Sequence, residues 1–369
     1  MGMCIVNPTS QIGDRKVTSL SDGVAAPENA RARPTMRHVA ALAGVGVKTV
    51  SRVINGEPNV SAATIAKVTA AARTLDYQPD LHAGNLRRAD GRTRTIGLLV
   101  GSVDNPFSGA VHRAVEDAAL ARGVAVFASS LDDDPAREQE AVSAFLRRRV
   151  DGLILTTISE SQAYLAPELR RGTPVVFVDR EPAGVASDTV VSDNLEGAAV
   201  ATRHLLERGH RRLAYLGDRA EIRTAQARRR GFLDELGLAG IATRDIPVIE
   251  NLHDIETARL AALALLERDD PPTAIFSAQN LVTIGVLHAL RESGLQHAIA
   301  LVGFDDVPLA DLLEPGVTVV AQNPQEIGRI AAERVFARLD GDAGPAVRTV
   351  VPTRLIERGS GEIPPRERG

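Results

Sequence analysis

The stretch from Met36 to Asn55 constrains the fold of this chain most strongly, because its small and apolar residues match two short helices joined by a tight turn. Ala40 is small enough for the second helix to approach the first, and Gly44 can adopt the left-handed conformation that such a turn needs. The expected buried contacts are Val39, Ala43, Val45, Val50 and Val53. The pattern predicts a helix-turn-helix unit.

The second helix of this unit, predicted from about Val47 to Ile54, has a polar side that could face a nucleic acid. The major groove of DNA is wide enough to receive such a helix. The predicted reading face consists of Val47, Lys48, Thr49, Ser51 and Arg52. Because an ordinary helical hairpin would share this spacing, the residues that follow must decide between the two interpretations.

A third amphipathic helix is predicted from Ala62 to Leu75, with Ser61 as its N-cap, and Thr35 is the expected N-cap of the first helix. Its apolar residues recur at helical spacing and can close a three-helix core. They are Ile65, Val68, Ala72 and Leu75. A three-helix unit of this size favours a DNA-reading domain over a simple hairpin.

Charge is distributed unevenly along the chain. The formal net charge is −4, yet residues 35–94 contain nine basic and four acidic residues, so a contact with a polyanion belongs to this segment. The single cysteine, Cys4, has no partner for a disulfide bond within the sequence and suits a reducing cytoplasm. We expect no signal peptide, no membrane-spanning segment and a disordered extension at residues 1–34.

From Thr95 onward, short aliphatic runs alternate with helical patterns, which predicts an α/β body with mostly parallel sheets. The predicted strands are TIGLLVGSV, VAVFASS, DGLILTTI, PVVFVDR, RLAYLGD, TAIFSAQ, ALVGFDD and VTVVAQ. Eight or more strands indicate two similar lobes. Ligands of such sheets bind beyond the carboxyl ends of the strands.

Polar and aromatic residues closely follow several of the predicted strands. They are Asp104, Asn105, Phe107, Asp179, Arg180, Asp193, Asn194 and Asp305. An aspartate at such a position can cap the next helix, and it can equally accept hydrogen bonds from the hydroxyl groups of a ligand. The recurrence of these residues at strand ends favours ligand binding.

The segments VAALAGVGVKTVSRVIN, VSAATIAKV and LDYQPDLHAGNL follow one another in the order and spacing of a known DNA-binding head. In these segments the chain resembles the lactose-repressor (LacI/GalR) family of bacterial transcription regulators. The resemblance implies base contacts by Val47, Lys48 and Arg52. It also implies a hinge helix at 79–88 that folds on DNA and wedges Leu86 into the minor groove at the operator centre.

Two residues of the head depart from the family pattern. Gly84 stands in the hinge where arginine is usual, and glycine costs a helix about 1 kcal/mol relative to alanine. Gly46 precedes the reading helix where a serine cap is more usual. We therefore expect that the hinge acts by the same mechanism but becomes helical on DNA less readily.

The resemblance also implies that the body is similar to a type I periplasmic sugar-binding protein, with the effector bound between two lobes. The first lobe is expected at 95–191 and 324–342, and the second at 192–322 and 346–369. The aligned effector-contacting positions are Phe107, Asp179, Thr224, Arg228, Leu252, Gln279, Asp305 and Gln322. We expect Arg228 and Asp305 to hold the effector from opposite edges of the cleft.

Departures in this pocket leave the effector open. Leu252 replaces an aromatic residue that several family members use for stacking, and Gln279-Asn280 stands where Asn-Asp is usual. With no Trp in the chain, Phe107 is the remaining aromatic platform. A sugar is favoured because the cleft is rich in hydrogen-bonding groups, with a nucleobase or a sugar phosphate as alternatives.

Other classes of function are less well supported. An enzyme would need a general base, and His112, His204 and His210 lie singly on helix-like segments. The sequence has no phosphate-binding loop, nucleophile elbow or metal-spaced His/Cys cluster, so we expect no catalysis, cofactor or metal. A transport binding protein would need an export signal. A phosphoprotein corepressor docking on the first lobe is the alternative partner that the resemblance permits.

The sequence thus predicts an N-terminal all-α helix-turn-helix head at 35–78, a hinge and linker at 79–94, and an α/β two-lobed body for effector binding and dimerisation at 95–369. We interpret the chain as a cytoplasmic homodimer that binds a palindromic operator under effector control, with a repressor favoured over an activator. No leucine heptad follows Arg358, so a dimer is expected rather than a tetramer.

Overall fold

The computed structural model describes residues 33–54, 56–78 and 91–365, and the chain divides into two compact units, residues 1–87 and 88–369. Residues 1–32 of the predicted extension (1–34) and the predicted hinge at 79–88, including Gly84 and Leu86, lie outside the described residues.

The first unit contains the predicted helix-turn-helix and a third helix. The helices are α1 (Met36–Ala43), α2 (Val47–Ile54) and α3 (Ala62–Thr74). Gly44 ends α1 in the left-handed region with φ 66°, as the turn requires. Thr35 is the N-cap residue of α1, and the Ser61 hydroxyl caps α3 by accepting the Thr64 N–H at 3.2 Å. The predicted N-cap of the first helix and the predicted bounds of the second are confirmed, and α3 ends one residue before the predicted Leu75.

The core of this unit differs from the prediction at one position. Its fully packed residues are Val39, Ala40, Val50, Val68 and Ala71, with Ala43, Val45, Val53, Ala72 and Leu75 packed at their edge. Ile65, predicted to be buried, is 44% exposed. It lies in the first turn of α3, and the packing of that helix against its neighbours begins one turn later, at Val68. Ala71 takes the core position that Ile65 was expected to hold.

The second unit alternates strands and helices along the chain. Its strands are β1 (Thr95–Val100), β2 (Ala125–Ser130), β3 (Gly152–Leu155), β4 (Val175–Val178), β5 (Asp188–Ser192), β6 (Leu213–Leu216), β7 (Val248–Ile249), β8 (Ala274–Ser277), β9 (Ala300–Phe304), β10 (Thr318–Ala321), β11 (Arg348–Val351) and β12 (Arg354–Ile356). Its helices are α4 (Pro106–Leu120), α5 (Pro135–Arg147), α6 (Ala166–Arg170), α7 (Asn194–Glu207), α8 (Arg223–Leu238), α9 (Ile255–Leu266), α10 (Asn280–Glu292) and α11 (Pro324–Leu339).

The strands form two sheets, each of six strands, in the orders β11-β5-β4-β3-β1-β2 and β12-β10-β9-β8-β6-β7. The first is parallel throughout, and in the second only β12 runs antiparallel, to β10. We call the parts of the body around these sheets the first and second lobes. Apolar helix faces cover both sheets, and each sheet has a buried cluster on either side.

One predicted boundary is wrong in this topology. The segment 346–369 was assigned whole to the second lobe, but β11 pairs in register with β5 of the first sheet, Val350 opposite Val191. The chain then crosses to the second sheet, where β12 pairs with β10. The final crossing between lobes therefore lies at Pro352 and Thr353, after β11. No helix in the described part of the chain is long and apolar enough to span a membrane.

Candidate DNA-reading face and effector cleft

Helix α2 presents one polar side to solvent. Val50 is fully buried and fixes the helix against its neighbours, whereas Val47, Lys48 and Arg52 are exposed. Thr49 and Ser51 are half-buried at the edges of the same side. The Arg52 guanidinium lies 3.7 Å from Glu57, and both side chains are about half exposed, so this pair is weak enough to yield to DNA. The five predicted reading residues therefore share one accessible face.

The strand-end residues divide into two groups in the structure. Asn105 and Asp193 accept backbone N–H groups and cap the following helices, α4 and α7, which is the simpler of the two roles considered for them. Asp179 and Asp305, after β4 and β9, have left-handed backbones with φ 67° and 70° and open no helix. Residues other than glycine adopt this backbone conformation at an energetic cost, and residues strained in this way are common at binding sites.

Asp179 is half-buried, with 15% of its side chain exposed, and its charge is influenced by several neighbours. Burial raises the pKa of its carboxyl group, and the negative charges of Asp305 and Asp133 add to this, while Arg180 and Arg228 act in the opposite direction. Its carboxylate lies 3.7 Å from Arg180 Nε. A ligand hydroxyl that donates to Asp179 would stabilise the charged form, which burial disfavours.

Arg228, on α8, is held by the second lobe alone. Its Nε donates to Asn194 Oδ1 at 2.8 Å, and its Nη1 donates to the Ala278 carbonyl at 2.8 Å. The guanidinium lies over the Phe304 ring, 3.8 Å from the centroid, and 3.8 Å from the Asp305 carboxylate. Arg228 and Asp305 are therefore adjacent, and the expectation that they hold a ligand from opposite edges is wrong, because α8 packs beside the end of β9.

A cavity of about 110 Å³ lies between the lobes at these strand ends. Its lining includes six of the eight predicted effector residues: Phe107, Asp179, Arg228, Gln279, Asp305 and Gln322. Leu252 instead packs in the aliphatic core of the second lobe. Thr224 is half-buried on α8 and is not among the residues that line the cavity. Gln279 also caps α10, accepting the N–H groups of Leu281 and Val282. The structure thus gathers most, though not all, of the predicted set.

Six further polar residues line the same cavity without having been predicted: Ser102, Ser108, Asp133, Thr156, Asp218 and His253. Asp133 and Asp218 lie just beyond β2 and β6, so the strand-end rule applied to VAVFASS and RLAYLGD would have found them. His253 lies in the loop before α9, where no pattern in the sequence marks it. Its position depends on the pairing of the two-residue strand β7.

Two buried polar atoms in the cavity wall have no hydrogen-bond partner among the residues that the structure describes. They are Gln322 Oε1, an acceptor, and Arg180 Nε, a donor. One other donor of each side chain is engaged: Gln322 Nε2 donates to Asp305 at 2.6 Å, and Arg180 Nη1 donates to Asp133 at 2.6 Å. An acceptor and a donor that both lack a hydrogen bond in one small cavity favour a ligand with hydroxyl groups, which can both donate and accept.

One group of side chains outside the cleft has the spacing of metal ligands: His204, Glu357 and Glu362. His204 Nε2 lies 2.7 Å from Glu362, and Arg208 Nη2 lies 2.8 Å from Glu357 and 3.9 Å from Glu362. Because a guanidinium already faces both carboxylates, we interpret the group as an ion-pair cluster that fastens the C-terminal segment to α7. His210, also buried there, contacts Thr273 and the Ile363 carbonyl.

Comparison with known proteins gives a consistent result for both units. Residues 35–80 match the model of the bacterial regulatory proteins, lacI family, and residues 202–361 match the model of the periplasmic binding protein-like domain. The HTH-type transcriptional regulator GalR of Escherichia coli (strain K12) is 32% identical, over 89% of this chain and 96% of its own length. The ribose operon repressor of the same strain is 32% identical, over 88% and 99%.

A solved structure of a lac repressor is similar to this chain in both fold and sequence. The crystal structure of the lac repressor dimer bound to operator and the anti-inducer ONPF superposes with a TM-score of 0.79 and 26% identity, covering 89% of this chain and 99% of that chain.

Proposed function

Because the chain belongs to the lacI family of bacterial regulatory proteins, a family of effector-controlled DNA-binding regulators, we propose that it is a cytoplasmic repressor whose effector is a small, uncharged sugar. The effector binds between the lobes, at Phe107, Asp179, Arg228, Asp305 and Gln322. We propose no catalytic step in the cavity. The observation that carries this proposal is the pair of unsatisfied polar atoms, Gln322 Oε1 and Arg180 Nε, in the cavity wall.

The charge of the cavity supports a sugar over a sugar phosphate. Four carboxylates line it, from Asp133, Asp179, Asp218 and Asp305. The two lining arginines are already paired with these carboxylates or bonded to neighbouring groups of the protein. A phosphate would therefore meet more negative than positive charge, whereas hydroxyl groups would find the acceptors they need.

The size of the cavity supports a monosaccharide over a larger ligand. Pockets for drug-sized molecules measure about 300–1,000 Å³, whereas this cavity measures about 110 Å³. A disaccharide or a nucleoside would have to extend from it into the open cleft of about 950 Å³ that shares Asp133 and Arg180 with it. Phe107 supplies one apolar face, and the remaining lining is mostly polar, which suits a ring carrying several hydroxyl groups better than a flat nucleobase.

Titration calorimetry on the full chain tests the effector class. The panel is D-ribose, D-galactose and other monosaccharides, with cellobiose, ribose 5-phosphate and adenine as representatives of the alternatives. We expect binding by a monosaccharide that is lost in Asp179→Asn and kept in Asp104→Asn, a matched change at an exposed strand-end aspartate. Tight binding of ribose 5-phosphate or adenine would overturn the proposal. Binding of none, with operator affinity that depends on an added phosphoprotein, would favour the corepressor alternative.

We also propose that the operator is palindromic and is read by a homodimer. Three leucines of one short segment are exposed on the second lobe, Leu309, Leu312 and Leu313, the second at 73%. A two-fold dimer would cover such a patch and present two reading helices to matching half-sites. Sedimentation velocity should find a dimer that Leu312→Glu weakens and Leu238→Glu, at an exposed helix end, does not. A dimer unaffected by Leu312→Glu would place the interface elsewhere.

For the hinge, the resemblance alone supports a minor-groove wedge by Leu86. We propose that Leu86→Ala reduces both the affinity for the operator and its bending. Selection of binding sites from random duplexes supplies the operator, and a fluorescence assay on that duplex gives the bend angle. An unchanged bend angle in Leu86→Ala would remove the wedge from the mechanism.

A further inference from the structure

Three side chains that are not among the proposed effector contacts meet across the cleft: Asp133, Asp218 and His253. Asp133 belongs to the first lobe, in the loop between β2 and α5, and Asp218 and His253 belong to the second lobe. His253 Nδ1 lies 2.9 Å from Asp218 Oδ1, and its Nε2 lies 3.3 Å from Asp133 Oδ2. Both ring nitrogens therefore face a carboxylate, one from each lobe.

We propose that Asp133, His253 and Asp218 form a cross-lobe bridge that holds the cleft closed when His253 is protonated, and that this bridge sets how tightly the effector is retained. This deepens the proposed function, since it concerns the regulation of the same cleft. His253 is a positioning residue in this proposal, because it acts on the lobes and not through the ligand.

The geometry favours the doubly protonated ring. A neutral imidazole has one donor and one acceptor, so it would turn a lone pair toward one of the two carboxylates, whereas an imidazolium donates to both. The hydrogen bond to Asp218 raises the pKa of His253, and the charge of Asp133 adds to this, against burial and the charge of Arg219. Burial raises the pKa of Asp218, but the hydrogen bonds from His253 and from the Arg219 backbone N–H, together with the charges of His253 and Arg180, lower it below the ordinary value.

Arg180, Arg219 and Asp254 are further charged groups around the bridge. Arg180 Nη1 holds the second oxygen of Asp133 at 2.6 Å, and its charge also acts across the cleft on Asp218. Arg219 donates to the backbone carbonyl of Asp133 at 3.3 Å, which adds a further contact between the lobes. Asp254 follows His253 in the chain and caps α9.

The direction of the pH dependence follows from which carboxylates remain when the lobes separate. When the cleft is closed, His253 faces both Asp133 and Asp218. When the cleft is open, His253 keeps only Asp218, which is on its own lobe. Its pKa is therefore higher in the closed form, so protonation favours closure, and this contribution is lost as the pH rises through the closed-form pKa. Another cross-lobe contact, Asn280 Nδ2 to Asn105 Oδ1 at 2.8 Å, has no titrating group and stays at all pH values.

The distance between the lobes can be measured without ligand or operator. Glu160 and Glu221 are exposed on the two lips of the cleft, one on each lobe. In the full chain with Cys4→Ser, spin labels on Glu160→Cys and Glu221→Cys report the closed and open populations by pulsed electron resonance. We expect the closed-to-open ratio to fall about tenfold from about pH 5.5 to 8.5, the range in which a histidine loses its proton.

Matched variants separate the bridge from other titrating groups. His253→Gln and, independently, Asp133→Asn should flatten the pH profile, while His297→Gln, at an exposed histidine of the same lobe, should leave it as in the parent. A parent profile that is already flat, or one that persists in both bridge variants, would overturn the proposal. Because no effector is used, either result leaves the proposed sugar binding to be judged by calorimetry alone.

Discussion

Arg228 is a buried cation on which several groups of the second lobe depend. It satisfies the Asn194 side chain and the Ala278 carbonyl, and it packs on Phe304 beside Asp305. If the guanidinium were removed, these acceptors would lose their hydrogen bonds and the Asp305 carboxylate would lose its counter-charge in a site of low dielectric constant. The residue therefore serves the fold as well as the cavity, which sequence alignment by itself would not reveal.

We predict that Arg228→Ala destabilises the protein by about 3–5 kcal/mol, the usual effect of removing one partner of a buried ion pair. Arg229→Ala, at the next position on α8, should change stability by less than about 1 kcal/mol, because Arg229 is exposed and pairs with Glu250 at the surface. Urea unfolding of the full chain at neutral pH measures both. Equal effects of the two variants would mean that the partners of Arg228 rearrange freely.

Arg52 is the residue of the reading face best suited to bidentate contact with a base. We predict that Arg52→Ala loses about 1–3 kcal/mol of discrimination between the operator and random DNA. Lys67→Ala, which removes an exposed charge from α3 of the same unit, should not alter discrimination. Fluorescence anisotropy on both duplexes gives the two affinities. If Arg52→Ala weakens both equally, Arg52 contacts phosphate and not a base.

Among the elements, packing of helix on helix depends on glycine at the crossing point of α7 and α8. A Cβ atom on Gly231 of α8 would collide with the Leu195 carbonyl oxygen of α7 and lie 3.0 Å from the Ala198 Cβ. Because the obstacle is backbone, it cannot move aside as a flexible side chain would. The two helices can approach this closely only with glycine at that position.

We predict opposite effects for two glycines of this one helix. Gly231→Ala should destabilise the body by about 1–3 kcal/mol through overpacking. Gly237→Ala should stabilise it by up to about 1 kcal/mol, because Gly237 is exposed, helical and has free space around it. Thermal unfolding of the two variants against the parent compares them directly. A stabilising Gly231→Ala would show that α7 and α8 can separate at little cost.

The same scale explains which elements could be predicted from the sequence. The strands found in advance, such as β1 and β9, are buried aliphatic runs, and that composition alone marks them. The edge strands β7 and β11 are short or partly exposed, so they lack a buried aliphatic run. They are strands because they pair with a neighbouring strand, which the sequence alone does not indicate. The misplaced boundary at residue 346 has this cause, since β11 carried no signal that would attach it to the first sheet.

The cavity was predictable to a similar degree and for a similar reason. Strand ends identify Asp179 and Asp305, because parallel strands bring their carboxyl ends to one edge. Leu252 was misassigned because alignment gives its position but not its direction, and its side chain turns into the core. The contact of Arg228 with Asp305 and the meeting of His253 with Asp133 depend on the docking of elements far apart in the chain, which no local pattern contains.

For the whole molecule, the effector can control DNA binding only through a difference in its affinity for two arrangements of the lobes. Asp305 is placed to contribute to that difference. It pairs with Arg228 at 3.8 Å and accepts from Gln322 at 2.6 Å, so it joins α8 and the segment after β10 at the cavity wall. Asp306, the next residue, pairs instead with Arg358.

We therefore predict that Asp305→Asn weakens the response to the sugar by about 1–3 kcal/mol, the cost of leaving a buried polar partner unsatisfied, which is about 5- to 150-fold in the concentration for half response. Asp306→Asn should respond like the parent. Without sugar, both variants should bind the selected operator as the parent does, because the head is unchanged. An operator titration by fluorescence anisotropy, with and without the sugar identified by calorimetry, measures each of these quantities. If Asp305→Asn responds like the parent, the effector binds elsewhere. If operator binding instead requires the sugar and fails in Asp305→Asn, the ligand acts as a corepressor.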